Sequence, residues 1–396
     1  MSNSQVVAHN INEILLPVTV SVAAFHGASG VGEFHLILQP TDYGSIAEQL
    51  EWVRDAYASV QASLGLEADS GVFRRFFCSD LPNQATALTA CSFADPAAQD
   101  DGCAVSWVGQ PPTAPAKVAL WAYHINDPAG LRKCKTGTSL ALQREGLTHH
   151  WSTGITSATE KTSYAQTQDI FSQYDEYLQR NKMCLAENML RTWFFVQDID
   201  ANYQGLVEAR RAIFADNGMT SETHFCTSTG IEGRAADVTA TVLLDAYAIA
   251  GVQQKQISYL VALDHLSPAN LYGVTFERGT AIAYQDRVQV MISGTASIDR
   301  CGHIVHPGAV LLQLERTLEN IAALLQQVGA TLEDVVIFIV YLRDMSDMEI
   351  VRQKMHARFG AVPVQVVLAA VCRPGWLVEI ECQAVISAEN PSLPEF

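Results

Sequence analysis

The chain has 396 residues, 48% apolar and 17% charged, enough for two or three domains with cores of their own. Its 25 lysines and arginines stand against 42 aspartates and glutamates, a formal charge of −17, which leaves no basic footprint for nucleic acid or an anionic membrane. The stretch MSNSQVVAHNINEILLPVTVSVAAFHG has no basic run before its apolar part, and no apolar run reaches membrane-helix length, so the expectation is a cytosolic protein.

In chain order, the predicted elements repeat three times. The first copy offers a helix at 46–65 (IAEQLEWVRDAYASVQASLG), a strand with an Asp turn at 71–88 (GVFRRFFCSDLPNQATAL) whose following helix is degraded, and a closing strand at 117–125 (KVALWAYHI). Residues 85–116, with ADPAAQDDG and QPPTAPA, read as a loop-rich insertion, and 127–146 as a linker or a segment with local structure of its own. The second copy repeats the pattern with a helix at 163–181, the strand, Asp turn and helix LRTWFFVQDIDANYQGLVEARRAIFADNG at 190–218, and a closing strand at 241–249. Between them, THFCTSTGIEGR (223–234) reads as a loop suited to a cleft rim. The third copy has its helix at 310–329, VVIFIVYLRDMSDMEIVRQKMHARFG at 335–360, and the closing strand LVEIECQAV at 377–385. The fold class expected is α+β: three units, at 1–130, 147–250 and 255–388, each with two helices on one face of a mixed sheet, the other faces buried against one another.

Nine cysteines with no CxxC pair and no HxxxH cluster predict reduced thiols rather than disulfides or structural zinc. The adjacent His149 and His150 on a strand point to opposite faces, so one is expected to be buried and the other exposed. Neither this pair nor any other spacing implies a metal, and no organic cofactor is indicated.

The third copy resembles the Rid (YjgF/YER057c/UK114) superfamily across 288–386, through MISGTASIDRCGHIVHPG, LLQLERTLENIAALLQQVGATLEDVV, IVYLRDMSDMEIVRQKM and LVEIECQAV. The resemblance implies chorismate-mutase-like units that trimerise with clefts between neighbours, so three fused copies imply a single-chain pseudo-trimer. Rid imine deaminases carry a carboxylate-gripping arginine where this chain reads Pro363-Val364-Gln365. A valine there cannot make a charge-assisted hydrogen bond. The run Cys372-Arg373-Pro374-Gly375-Trp376-Leu377-Val378-Glu379-Ile380-Glu381 is similar to the signature of the chorismatase branch, as are Tyr272-Gly273 to Arg278 and the Ser293-Gly294-Thr295 hairpin.

What this second resemblance implies is an enzyme that removes the enolpyruvyl group of chorismate, giving pyruvate plus a hydroxybenzoate or dihydroxycyclohexadiene carboxylate. Glu379 would be the acid. Cys372, with Gly294, would mark the hydroxybenzoate-forming (hydroxybenzoate synthase) branch of secondary metabolism. The residues themselves support part of this reading. Glu379 falls where the other copies have Ala119 and Leu243, a phase in which a buried carboxylate is costly unless used or paired. Two carboxylates on a substrate call for at least two guanidinium groups, for which Arg278 and Arg373 are candidates; either could instead pair with Glu277, Glu379 or Glu381. Tyr272 and Thr295 would shape the pocket. Arg191, at the start of RTWFF, either reaches a cleft shared with the third copy or ends a strand at the surface. Glu381 is either a second functional acid or part of a structural network. The expected partner is a small aromatic-pathway carboxylate, with no nucleic acid and no membrane, and the expected assembly a monomer or dimer. Two other functions remain open: hydrolysis of another imine or enamine, and binding without catalysis.

Overall fold

The computed structural model describes residues 5–11, 16–99, 102–267 and 274–396. Side-chain caps, Ser45 and Thr162, open the long first helix of each of the first two units. The Ser45–Glu48 capping box opens α1 (Ile46–Ser63), which follows β1 (Val7–Asn10), β2 (Val18–His26) and β3 (Gly32–Pro40) and packs on the last two. The first unit continues with β4 (Gly71–Cys78), α2 (Leu81–Ala90), β5 (Ala104–Gly109) and β6 (Val118–Asn126). The second unit comprises β7 (Arg132–Thr136), β8 (Ser139–Arg144), β9 (Leu147–Thr156), α3 (Ser163–Arg180), the single turn α4 (Leu185–Asn188), β10 (Met189–Val196), α5 (Ile199–Asp216), β11 (Thr227–Glu232) and β12 (Val242–Ala250). The third comprises β13 (Ile257–Tyr259), β14 (Gly279–Ala283), β15 (Arg287–Ala296), α6 (Val310–Leu325), β16 (Val335–Leu342), α7 (Met348–Phe359), β17 (Val364–Leu368) and β18 (Val378–Ser387).

Each unit forms a six-stranded sheet of one topology: β1-β2-β3-β6-β4-β5, β7-β8-β9-β12-β10-β11 and β13-β14-β15-β18-β16-β17. All pairs are antiparallel except the last in each sheet. The strands β4, β10 and β16 are buried along their whole length, because helices cover one face and the other two sheets cover the other. This is the three-unit α+β architecture expected, with a shared inner core that includes Phe73, Trp121, Trp193 and Tyr341. No helix among the described residues is long and apolar enough to cross a membrane.

Charged residues also enter that inner core. The register makes Trp121, Asp245 and Glu381 equivalent, opposite Arg75, Trp193 and Ile339. Asp245 pairs at 2.8 Å with Arg75 of the preceding unit, and Glu381 at 2.6 Å with Arg191 of the preceding unit. Between the first and third units Arg287 pairs with Glu33 at 2.8 Å. All six groups are at most 4% exposed, so each pairing offsets a desolvation cost that a lone charge there could not meet. The edge strands close the ring: Gly109 bridges Arg234, Ile231 bridges Val371 and Val367 bridges Pro112.

Three local expectations change. Residues 127–146 hold β7 and β8, which extend the second sheet instead of forming a linker. The supposed insertion at 85–116 contains β5, and the supposed loop at 223–234 contains β11; both pair in parallel with a central strand, a partner far in sequence that local propensity does not register. His149 and His150 are both buried, since the sheet is covered on both faces, and the Nδ1 of each meets a tyrosine hydroxyl, of Tyr247 (2.7 Å) and Tyr177 (2.8 Å).

Candidate active site

The register of β18 places Glu379 between Tyr341 on β16 and Ala296 on β15. Its side chain faces a cavity of about 370 Å³ between the second and third units, within the usual range for small-molecule sites, roughly 300–1,000 Å³. The second unit contributes Tyr203, Val207, Arg210 and Arg211 from α5 and Ser228 and Gly230 from β11. The third contributes Phe276, Arg278, Gly294, Cys372, Arg373, Trp376 and Glu379. At the equivalents of Glu379, Ala119 and Leu243 are buried and carry no acid.

Glu379 is 5% exposed. Burial above all, and then the neighbouring Glu381 charge, push its carboxyl up to about 8, while Arg278 and Arg191 pull it the other way. At neutral pH the group is therefore mostly protonated, a carboxylic acid able to donate. Room for it exists only because β15 bulges between Ile292 and Thr295 and has glycine at 294: a β-carbon there would lie 2.0 Å from Glu379 Oε1. The Cys372 thiol, pushed up to about 12 by burial and by Glu379, is no nucleophile at neutral pH.

Four arginines line the cavity. Arg278 is buried, donates from Nη2 to the Ser267 carbonyl at 2.9 Å, and lies 5.2 Å from the centre of the Phe276 ring. Arg373 lies over Trp376 at 4.9 Å. Arg211 is exposed at the rim. Arg210 projects from α5 and is 1% exposed; its Nε donates to Thr275 Oγ1 and its Nη1 to Ser228 Oγ, both at 3.2 Å, and its buried Nη2 has no hydrogen-bond partner among the described residues. An unsatisfied guanidinium edge in a cavity is a ready carboxylate donor.

The cavity thus gathers Glu379, Cys372, Arg278, Arg373 and Gly294 from the sequence-derived set. Thr295 is fully buried, donates to the Ser293 carbonyl at 2.9 Å and does not line it. Arg191 does not line it either: its guanidinium is held by Glu381 and by Thr229 (2.7 Å) in the inner core, so it serves a network rather than a ligand. Tyr272 lies outside the described residues.

Reasoning from the third copy alone missed Arg210 and misplaced the arginine comparison. Val364 lines a different cleft, between the third and first units. Because β11 and β17 hold equivalent registers, the strand position facing Glu379 is Ser228 of the second unit. It too lacks an arginine, and Arg210 reaches its hydroxyl from α5. The available signal was spacing: Arg210 lies four residues from both Leu206 and Phe214, in the buried phase of the helix.

Among the described residues, Asp299, Cys301 and His303 bring metal-ligating atoms within 4.8 Å of one another, on a turn that does not line the cavity.

Fold and site together define a fused three-unit α+β protein with a buried acid in one inter-unit cleft. The chain belongs to the Rid (YjgF/YER057c/UK114) superfamily. Residues 279–386 match the family model described as Endoribonuclease L-PSP. A RutC family protein of Pyrococcus abyssi is 35% identical over 101 residues, 25% of this chain and 79% of that protein. A chorismatase of Streptomyces hygroscopicus is 30% identical over 213 residues, 49% of this chain, which spans 60% of that relative's length. A crystal structure of a chorismatase superposes with a TM-score of 0.61 at 18% identity, covering 80% of this chain and 93% of that one, a likeness of fold.

Proposed function

We propose that the chain is a chorismatase-like enzyme that removes the enolpyruvyl group of chorismate. The observation that carries this reading is Glu379, a carboxyl pushed up to about 8 in a cavity lined by arginines. Chorismate carries two carboxylates and an enol ether, a substrate such a site suits. The partial match to a chorismatase supports the same reading.

In the mechanism proposed, Arg210 and Arg278 hold the substrate carboxylates. Glu379 gives its proton to the methylene carbon of the enol ether, and the carbon bearing the ether oxygen becomes an oxocarbenium ion. Attack by water on that carbon gives a hemiketal, whose collapse releases pyruvate and the ring alcohol. Attack by a ring hydroxyl opens the route to a hydroxybenzoate. Arg278 and Arg191 favour the carboxylate that Glu379 becomes as its proton leaves for the substrate. Cys372 acts by shape, since its thiol is protonated.

The test is to incubate purified protein with chorismate between pH 5 and 9 and assay pyruvate, with the Glu379→Gln variant in parallel. Pyruvate from the wild type and none from the variant is expected. No pyruvate from the wild type at any of these pH values rejects the reading.

A further inference from the structure

The Arg191–Glu381 pair lies outside the cavity, yet one side chain joins it to the Gly294 backbone beside the acid. Thr229 Oγ1, in β11 of the second unit, accepts from Arg191 Nη2 at 2.7 Å, donates to Glu381 Oε2 at 2.5 Å and accepts from the Gly294 amide at 3.0 Å. One hydroxyl hydrogen and two lone pairs are thereby all used. Trp193 Nε1 donates to the other oxygen of Glu381 at 2.8 Å. Next to it the Ser228 amide donates to Ser293 Oγ at 2.9 Å, so β11 grips both residues that the β15 bulge releases from their ladder. Gly294 is the wall against which the Glu379 carboxyl rests, and Glu381 sits two residues from the acid on the same face of β18.

Resting on the reading of Glu379 as the acid, we propose that Thr229 and the Arg191–Glu381 pair are positioning residues: from the neighbouring unit they fix the Gly294 wall and the fixed charge beside the acid. The groups facing Glu379 are Glu381 on its own strand, Tyr341 from β16, Arg278 before β14, Arg191 from β10, Tyr203 and Arg210 from α5, and Cys372 and Arg373 from the segment before β18. Glu381 opposes ionisation of the acid while Arg278 and Arg191 favour it. The ion pair is thus more than an inter-unit brace: its carboxylate end adds to burial in favouring the protonated form of the neighbouring carboxyl.

The experiment reads Glu379 directly, without substrate. The infrared carbonyl band of a protonated carboxyl, assigned by its loss in Glu379→Gln, is titrated in wild type, Glu381→Gln, Thr229→Val and Thr229→Ser, each first shown to be folded by circular dichroism. Glu381→Gln is expected to lower the band's midpoint, by about one pH unit for the loss of a like charge beside it. Thr229→Val is expected to move the band's frequency, and Thr229→Ser to leave it in place. A band unmoved in both folded Glu381→Gln and Thr229→Val overturns the positioning role while the acid stands. Absence of any such band in the wild type near pH 6 overturns both. A band that responds as expected in a protein that releases no pyruvate upholds the positioning role and rejects only the substrate.

Discussion

Gly294 and Glu379 are in contact across the β15–β18 ladder in a way only glycine allows: a β-carbon at 294 would lie 2.0 Å from one carboxyl oxygen and 2.9 Å from the carboxyl carbon. The two nearest atoms it would meet are the end of the Glu379 side chain and the third is Thr229 Cγ2 at 3.1 Å, so Gly294→Ala is expected to fold while displacing the acid. Since small misplacements of a catalytic group cost rate steeply, turnover should fall at least about tenfold, and further in Gly294→Val. Comparing kcat with the unfolding midpoint of each variant checks both halves of this expectation.

Replacing the acid itself separates chemistry from folding. Glu379→Gln keeps the shape and loses the proton donor, so kcat should drop by about 10²–10⁴-fold. Stability responds too. Between about pH 4.5, the ordinary glutamate value, and about 8, the folded protein holds on Glu379 a proton that the unfolded chain releases. Stability contributed by this group is therefore lost as pH rises through that window. Urea unfolding at pH 5, 6.5 and 8 should show a shallower decline in Glu379→Gln than in the wild type.

The pH dependence of kcat/KM follows from the same group. An acid that must be protonated is active below its own midpoint, so kcat/KM should fall on the alkaline side with a midpoint near 8 and a slope of one proton. An alkaline limb at the same pH in a variant lacking Glu379 would assign the limb elsewhere.

The two buried arginines of the second unit should fail differently. Arg210 lines the cavity and carries a buried Nη2 with no hydrogen-bond partner among the described residues. Arg210→Met should raise KM by about 10–100-fold, the worth of a charge-assisted hydrogen bond, with a modest change in stability. Arg191 is paired with Glu381 in the inner core. Arg191→Met leaves that buried carboxylate without its cation and should cost about 3–5 kcal/mol of stability. Steady-state kinetics and chemical denaturation of both variants distinguish the roles, and equal loss of stability in the two would contradict them.

The sequence by itself determined the repeat, the helices and the closing strands, because those signals are local: apolar spacing at 3.6 residues in α1, α3 and α6, and β-branched or aromatic runs in β4, β10 and β16. It also marked Glu379, since a carboxylate in a phase held by alanine and leucine in the other copies is visible without coordinates. What tertiary structure alone decided is which residues share a cleft. Each site is built between units, so the partner of Glu379 on the facing strand is Ser228, not the Val364 of its own copy, and the arginine that reaches it is Arg210. Arg191 and Glu381, 190 residues apart, acquire their meaning only from the packing of one sheet against the next. Local pattern fixes elements because hydrogen bonding and burial within a helix or strand depend on near neighbours. Site chemistry depends on distances of a few ångströms between side chains that the chain order leaves far apart.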